Sequence, residues 1–302
     1  MIQIKSILCP VDFSSISKSA MKYALVLARN HRARLHVCHA VSPAGLSDKY
    51  IAFESARILQ QLCTSAESQM KGFRAEATRA RVPTSFEVRI NKPADEIQQQ
   101  IRKTKASIVV MGSHARSTVE RLFLGSVAEN LLRTSPIPVL TVSGKRKSDG
   151  RIRSVLIATD FGPGTSDAVE WGMSIARETG ARTSLMHVVP HRASANLEKT
   201  YRTLLERGVE VQLQELVDSV DAKALNATVR VENGLPWRVI QNVAQETRPD
   251  LIVMNIHGKS SLDRILVGST AERIIRSAEC PVLSIPPNSR TSGRPKTRRS
   301  PQ

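Results

Sequence analysis

The sequence predicts two copies of one α/β domain, each a doubly wound, mainly parallel sheet of five strands. Three observations carry that expectation. The hydrophobic residues, 41% of the chain, fall in short Val/Ile/Leu clusters while aromatics reach only 4%, which suits strands buried on both faces. Apolar runs of strand length alternate with amphipathic stretches of helix length, the crossovers that parallel neighbours require. The chain also repeats itself. "SILCPVDFS" at 6–14 recurs as "SVLIATDFG" at 154–162, and "ARLHVCHAV" at 33–41 as "ARTSLMHVV" at 181–189, both offset by 148. "MGSHARSTVERLFLGSVAENLLRTSPIPVLTV" at 111–142 recurs as "MNIHGKSSLDRILVGSTAERIIRSAECPVLSI" at 254–285, offset by 143. A single five-residue length difference between about residues 41 and 90 reconciles the two offsets, and a repeat of this length means a duplicated domain.

Each half then reads in the same order. A β-run (Ile4–Val11; Ser154–Thr159) ends at an aspartate and leads into a helix (Ser17–Arg29; Thr165–Arg177). A second β-run (Arg34–Val41; Thr183–Val189) is followed by a variable loop and a long helix through Ser65 or Leu213. The third (Thr84–Ile90; Ala227–Val231) enters a helix at Pro93 or Pro236, the helix position that tolerates proline best. The fourth (Ser107–Met111; Leu251–Met254) opens into a glycine loop and another helix, and the last (Val139–Val142; Val282–Ile285) closes the unit. Domains are expected at 1–144 and 152–287, with a polar linker at 145–151 and a basic tail at 288–302. The closing strands "PVLTV" and "PVLSI" would be bare sheet edges, so an intramolecular pairing of the two repeats is expected to cover both. Further association into a homodimer is left open.

The net charge of +17 is spread unevenly: 23 Lys+Arg against 11 Asp+Glu in residues 1–150, and 21 against 16 afterwards. Five of the later cations, Arg290, Arg294, Lys296, Arg298 and Arg299, sit in the tail. The cations of the first half are scattered without interleaved aromatics, the pattern of solvated faces rather than of a specific nucleic-acid surface. Cys9, Cys38, Cys63 and Cys280 show no C-x-x-C spacing, and a reducing compartment fits them. The N-terminus has a lysine and an aspartate where a signal peptide needs an apolar core, and no run reaches membrane-spanning length. A cytoplasmic protein is expected.

In sheets of this kind ligands bind beyond the carboxyl ends of the strands, where the strand order reverses. Asp12, Val41 and the 112–126 loop should converge there. A loop that follows a strand and opens a helix can aim backbone N–H groups at an anion, aided by the helix dipole. Gly112 ends the fourth run, and Gly125 with Ser126 starts the next helix, with Ser126 expected as its N-cap. No P-loop ending, nucleophile elbow or paired carboxylate at one strand end is present, so an enzyme is not expected, and any ATP hydrolysis would be slow and incidental. "HVCH" at 36–39 could suggest a metal, but strand alternation divides its ligands between two faces. His114 and His257 occupy matching loop positions, and Trp171 and Trp237 fall on predicted helices as packing residues.

With these residues in view, the sequence resembles the universal stress protein family in its tandem form. The nucleotide-binding branch of that family shows G-x-x-G-x(9)-G-[ST]; "GSHARSTVERLFLGS" matches apart from Ala115, and "NIHGKSSLDRILVGS" apart from Asn255. The likeness runs from residue 4 to about 286. It implies a Rossmann-like fold and a bound adenine nucleotide, ATP or else AMP or ADP, with Mg accompanying it. It implies adenine and ribose against Pro10, Val11, Asp12 and Val41, and in the second half against Ala158, Thr159, Asp160 and Val189. The phosphates would lie on Gly112, Gly125 and Ser126, then on Gly258, Gly268 and Ser269. Ala115 puts a Cβ into the first loop, at about 1–2 kcal/mol if that turn holds φ > 0. Asn255 tolerates the left-handed region better, with a side chain expected to stand beside the phosphate. The implied role is a nucleotide-dependent stress-response module; the alternative is a nucleotide-free structural or chaperone-like scaffold with decayed sites.

Overall fold

The computed structural model describes residues 2–43, 52–113, 124–190, 199–219, 227–256, 267–287 and 289. The first half runs β1 (Ser6–Pro10), α1 (Ser15–His31), β2 (Arg34–Val41), α2 (Ala52–Ala80), β3 (Thr84–Ile90), α3 (Pro93–Thr104), β4 (Ile108–Gly112), α4 (Ser126–Thr134) and β5 (Val139–Val142). The second runs β6 (Ser154–Thr159), α5 (Thr165–Thr179), β7 (Arg182–Pro190), α6 (Lys199–Ser219), β8 (Thr228–Gly234), α7 (Pro236–Thr247), β9 (Leu251–Asn255), α8 (Ser269–Ser277) and β10 (Val282–Ile285). The order is the one the repeat predicts; the ends shift for local reasons. β1 is shorter than its apolar run because only Ser6–Pro10 find partners on β2. α1 starts before Ser17, since the Ser14 hydroxyl accepts the Ser17 N–H at 3.1 Å and caps the helix. β8 runs past Val231 to Gly234, held by β7 as far as Pro190.

All ten strands form one sheet in the order β3-β2-β1-β4-β5-β10-β9-β6-β7-β8. Pairing is parallel within each half, and β5 meets β10 antiparallel, Leu140 opposite Leu283. In each half the order reverses beside the first strand, which has β2 and β4 on its two sides, or β7 and β9. Side-chain alternation sorts the core into two layers. Ile7, Cys9, Leu35 and Ile108 face one cluster with Met21, Phe73, Trp171 and Leu213 from α1, α2, α5 and α6. Leu8, Cys38 and Val109 face the other, with Ile97, Leu131, Ile240 and Ile274 from α3, α4, α7 and α8. Both layers run through both halves. Among the described residues no helix is long and apolar enough to cross a membrane.

The polar stretch between the halves is tied down rather than loose. Lys145 Nζ donates to the carbonyls of Arg276 at 2.7 Å and Ser277 at 3.2 Å, at the carbonyl end of α8 where the helix dipole favours a cation. The Arg146 guanidinium pairs with Asp250 and donates to the carbonyls of Arg248 and Pro249 at 3.3 and 3.2 Å. Asp250 also accepts the Arg153 N–H at 2.9 Å. Replacing one partner of a half-buried, hydrogen-bonded ion pair leaves the other short of solvation. Arg146→Ala is therefore expected to lower unfolding stability by about 1–3 kcal/mol in a urea titration. Lys147→Ala, at an exposed neighbouring position, should leave it unchanged.

Candidate functional site

The end of β1 sets the geometry of the site. Val11 N–H donates to Cys38 O at 2.8 Å, so the chain stays against β2 one residue beyond the strand. Asp12 then turns back, its Oδ1 accepting the Ser14 N–H at 3.0 Å. Phe13 takes φ 65°, a left-handed conformation that bulky residues rarely adopt, and its ring rests on His39 with centroids 4.3 Å apart. His39 Nδ1 donates to the Val11 carbonyl at 2.7 Å. The second half repeats the turn: Asp160 Oδ1 accepts from Gly162 N at 2.8 Å, Phe161 has φ 56°, and His187 Nδ1 donates to Thr159 O at 2.8 Å. Sequence reasoning grouped His39 with the strand core and passed over His187, although both occupy the same place in the repeat.

Beyond this turn, a cleft of about 760 Å³, open solvent at its mouth included, spans the carboxyl ends of β2, β1 and β4. Pro10, Val11, Asp12, Gly112, Gly125 and Ser126 line it together. Val41 does not; it is buried at the end of β2, and Ala40 supplies that part of the wall. Cys38, His39, Glu96 and Ser113, which the sequence did not single out for a ligand, also contribute. Cys38 is a wall and not a nucleophile, because burial pushes its thiol pKa up. Ala115, Gly258, His114 and His257 lie outside the described residues.

The base of the glycine loop is closed by one hydrogen bond, Gly125 N–H to Ser113 O at 2.9 Å, matched by Gly268 N–H to Ile256 O at 2.7 Å. Gly125 and Gly268 are the N-caps, with extended backbones (φ −63° and −61°), and neither helix has a side-chain cap. This corrects the expectation that Ser126 is the cap: Ser126, like Ser269, is the first helical residue and is exposed. Glu129 N–H reaches back to Gly125 O at 2.8 Å, so the N–H groups of residues 126–128 have no carbonyl within the helix, and the first turn of α4 faces the cleft as an anion-binding end.

Asn255 also needs correction on its backbone: it is a strand residue without positive φ, as is Gly112, which ends β4 as expected. A Cβ at Gly112 would stand 2.9 Å from Ile16 Cγ2, so this glycine lets α1 approach β4. In the second half the two positions trade size: Gly164 replaces Ile16, and Asn255 replaces Gly112. With its amide oriented to satisfy both polar atoms, Asn255 accepts from Thr165 N at 3.1 Å and donates to Gly164 O at 3.0 Å. The side chain thus turns into the start of α5, whose own cap residue has no side chain.

A model of the universal stress protein family matches residues 3–143 and again 151–286. The chain belongs to the universal stress protein family. It does so in tandem form. It is 24% identical over 294 residues to a universal stress protein of Mycolicibacterium smegmatis, covering 93% of this chain and 97% of that one. A Methanocaldococcus jannaschii universal stress protein is 30% identical over 146 residues, 46% of this chain and 85% of its own. The crystal structure of a universal stress protein from Archaeoglobus fulgidus superposes with a TM-score of 0.66 at 23% identity, covering 94% of this chain and 99% of that one.

Within this tandem universal stress protein the halves are not equal at the site. Positions matching Cys38, Ala40 and Ser113 carry Met186, Val188 and Ile256, all buried in one apolar cluster with Met254 and Ala271. Larger side chains thus occupy the second half where the first has walls. Two expectations follow from the size exchange. Gly112→Ala should cost about 1–3 kcal/mol of unfolding stability, and pairing it with Ile16→Ala should recover most of the overpacking term in a double-mutant cycle. Asn255→Ala should cost about 1–2 kcal/mol by removing the cap of α5, read as a lower urea midpoint at unchanged m-value.

Proposed function

We propose that the first half binds one adenine nucleotide per chain and that the protein acts as a nucleotide-dependent regulatory module of the stress response, with little or no turnover. The observation that carries this reading is the cleft itself: apolar walls from β1, β2 and β4 lead to an uncapped helix end with three N–H donors. That combination suits a ligand with a flat apolar body and an anionic tail. Pro10, Val11, Asp12 and Ala40 would line the base and ribose, and Gly112, Gly125 and Ser126 the phosphates. Asp12 keeps a carboxylate within the wall, where ribose hydroxyls could donate to it. Mg²⁺ would accompany the phosphates as their counter-ion.

The second half favours the other reading, a structural role without nucleotide. Met186, Val188 and Ile256 are nearly inaccessible to solvent, and opening a ligand-sized space among them would forfeit their packing. Ala158, Thr159, Asp160, Val189, Asn255, Gly268 and Ser269 then hold the fold of that half. Nucleotide occupancy would regulate partners to the extent that ATP binds two arrangements of the first half with different affinity.

Mass spectrometry of the denatured, purified protein for adenine nucleotides, followed by calorimetric titration with ATP, tests the assignment. Binding at about one equivalent is expected, weakened at least about tenfold when Ala40→Val and Ser113→Ile carry the second half's residues into the first. Val188→Ala should leave it unaltered. Two equivalents, or no nucleotide by either method, would refute the reading.

A further inference from the structure

The repeat offers an internal control for each residue of the cleft, and one residue stands out against it. Glu96, in the first turn of α3, is 4% exposed and contributes to the cleft wall. Its Oε2 accepts from Asn91 Nδ2 at 3.0 Å and its Oε1 from Gln100 Nε2 at 2.8 Å. Both donors are neutral amides, and among the described residues no lysine, arginine or histidine forms an ion pair with Glu96. A buried carboxylate without a cation is expensive, and each of its oxygens retains room for a further donor.

The second half shows that the fold does not need this carboxylate. Val239 replaces Glu96, Val243 replaces Gln100 and Gly234 replaces Asn91; Val243 belongs to the apolar cluster and Val239 packs against it. The neighbouring edge cluster behaves differently. Glu87 pairs with Lys103 at 2.6 Å and Arg89 at 3.0 Å; at the matching positions Arg230 pairs with Glu246 at 3.1 Å and Glu232 at 2.6 Å. The signs are reversed while the pairing is kept, as expected of a device that only pins helix to strand. The buried triad, in contrast, is present beside the cleft of the first half and absent from the matching positions of the second, where larger side chains replace Cys38, Ala40 and Ser113.

We infer that Glu96 is a specificity residue of the first-half cleft, accepting a hydrogen bond from an amino group on the ligand's base and so selecting an amino-purine over an oxo-purine. The inference rests on the nucleotide reading above. β2 and β4 flank β1 on opposite sides, so the cleft has an α3 side carrying Glu96 and an α4 side carrying the helix end. A phosphate is repelled by the first and attracted by the second, which turns the base toward Glu96. There a 6-amino group donates, whereas a 6-oxo group would set oxygen against oxygen.

The test is calorimetric titration of the full chain with ATP and with inosine triphosphate, which carries oxygen in place of the 6-amino group and a hydrogen on N1 where adenine has a bare acceptor. The wild type is expected to prefer ATP by about tenfold or more, and Glu96→Gln, whose amide can donate to the oxo group, to bring the ratio near one or below it. Glu96→Val, the second half's own residue, should keep or raise the thermal midpoint while losing the preference. An ATP preference that survives both variants, or equal binding of both nucleotides by the wild type, overturns the role of Glu96 and leaves the nucleotide site standing. Binding of neither nucleotide overturns both.

Discussion

The antiparallel seam between β5 and β10 is the constraint from which the rest of the molecule follows. Only three residue pairs make up its ladder, yet Leu140 and Leu283 are almost wholly buried within it and the Thr141 hydroxyl bridges to Val282 O at 3.2 Å. Two strands that would each be bare edges become the centre of a ten-stranded sheet, which removes the exposed hydrogen-bonding rows that an apolar edge would offer to other chains. Because the seam is antiparallel while every other pairing is parallel, the carboxyl ends of the two halves lie on opposite edges of the sheet. The cleft and its counterpart therefore share a core but no wall. One could take methionine, valine and isoleucine at positions where the other kept cysteine, alanine and serine.

Sharing a core also explains why differences between the repeats come in matched sets. At the contact between the first helix and the fourth strand, bulk sits on the helix in one half and on the strand in the other: Ile16 against Gly112, and Gly164 against Asn255. Close packing leaves no room for bulk on both sides, and a gap on both would lose contacts. The second solution brings a polar amide, which is used to cap a helix whose N-cap is glycine. The edge ion cluster follows the same logic. Lys103, hydrogen-bonded to Glu87, holds that carboxyl down at about 2, and the mirrored arrangement in the second half raises Arg230 through Glu232. Charge sign there is free; complementarity is not.

How far the sequence could reveal this depends on how local each determinant is. The order of elements along the chain, the two offsets and the convergence of Asp12, Gly112 and Gly125 were legible because they rest on periodicity and on residues a few positions apart. Ala40 in place of Val41 is a matter of which way one residue of a pleated strand faces at its last step, where alternation loses its reference. The role of Asn255 could not be read because its partners, Gly164 and Thr165, lie about 90 residues earlier. Gly125 in place of Ser126 as the cap is a single-residue shift in where the backbone turns helical, which composition does not resolve. The pairing of His39 and His187 with the strand-end carbonyls was within reach: both histidines align at an offset of 148, beside aligned Asp-Phe pairs.

A repeat of this kind also separates what folding requires from what binding requires, without an alignment of other proteins. The left-handed Phe13 and Phe161, each against a histidine, look like strain stored at a functional site. Their presence in both halves, whatever the wall residues around them, shows that they belong to the turn. The hydrogen bonds that Asp12 and Asp160 accept from the turn that follows each of them are likewise common to both halves. Features confined to the open half need another reason. Burial of the Glu96 carboxylate between two neutral amides is such a feature: replacing it by valine would remove a desolvation penalty and extend an apolar surface, as the second half has done at Val239. A position that forgoes that gain beside the cleft of the first half, and takes it where the wall residues are larger, is governed by the contents of the cleft rather than by the stability of the wall.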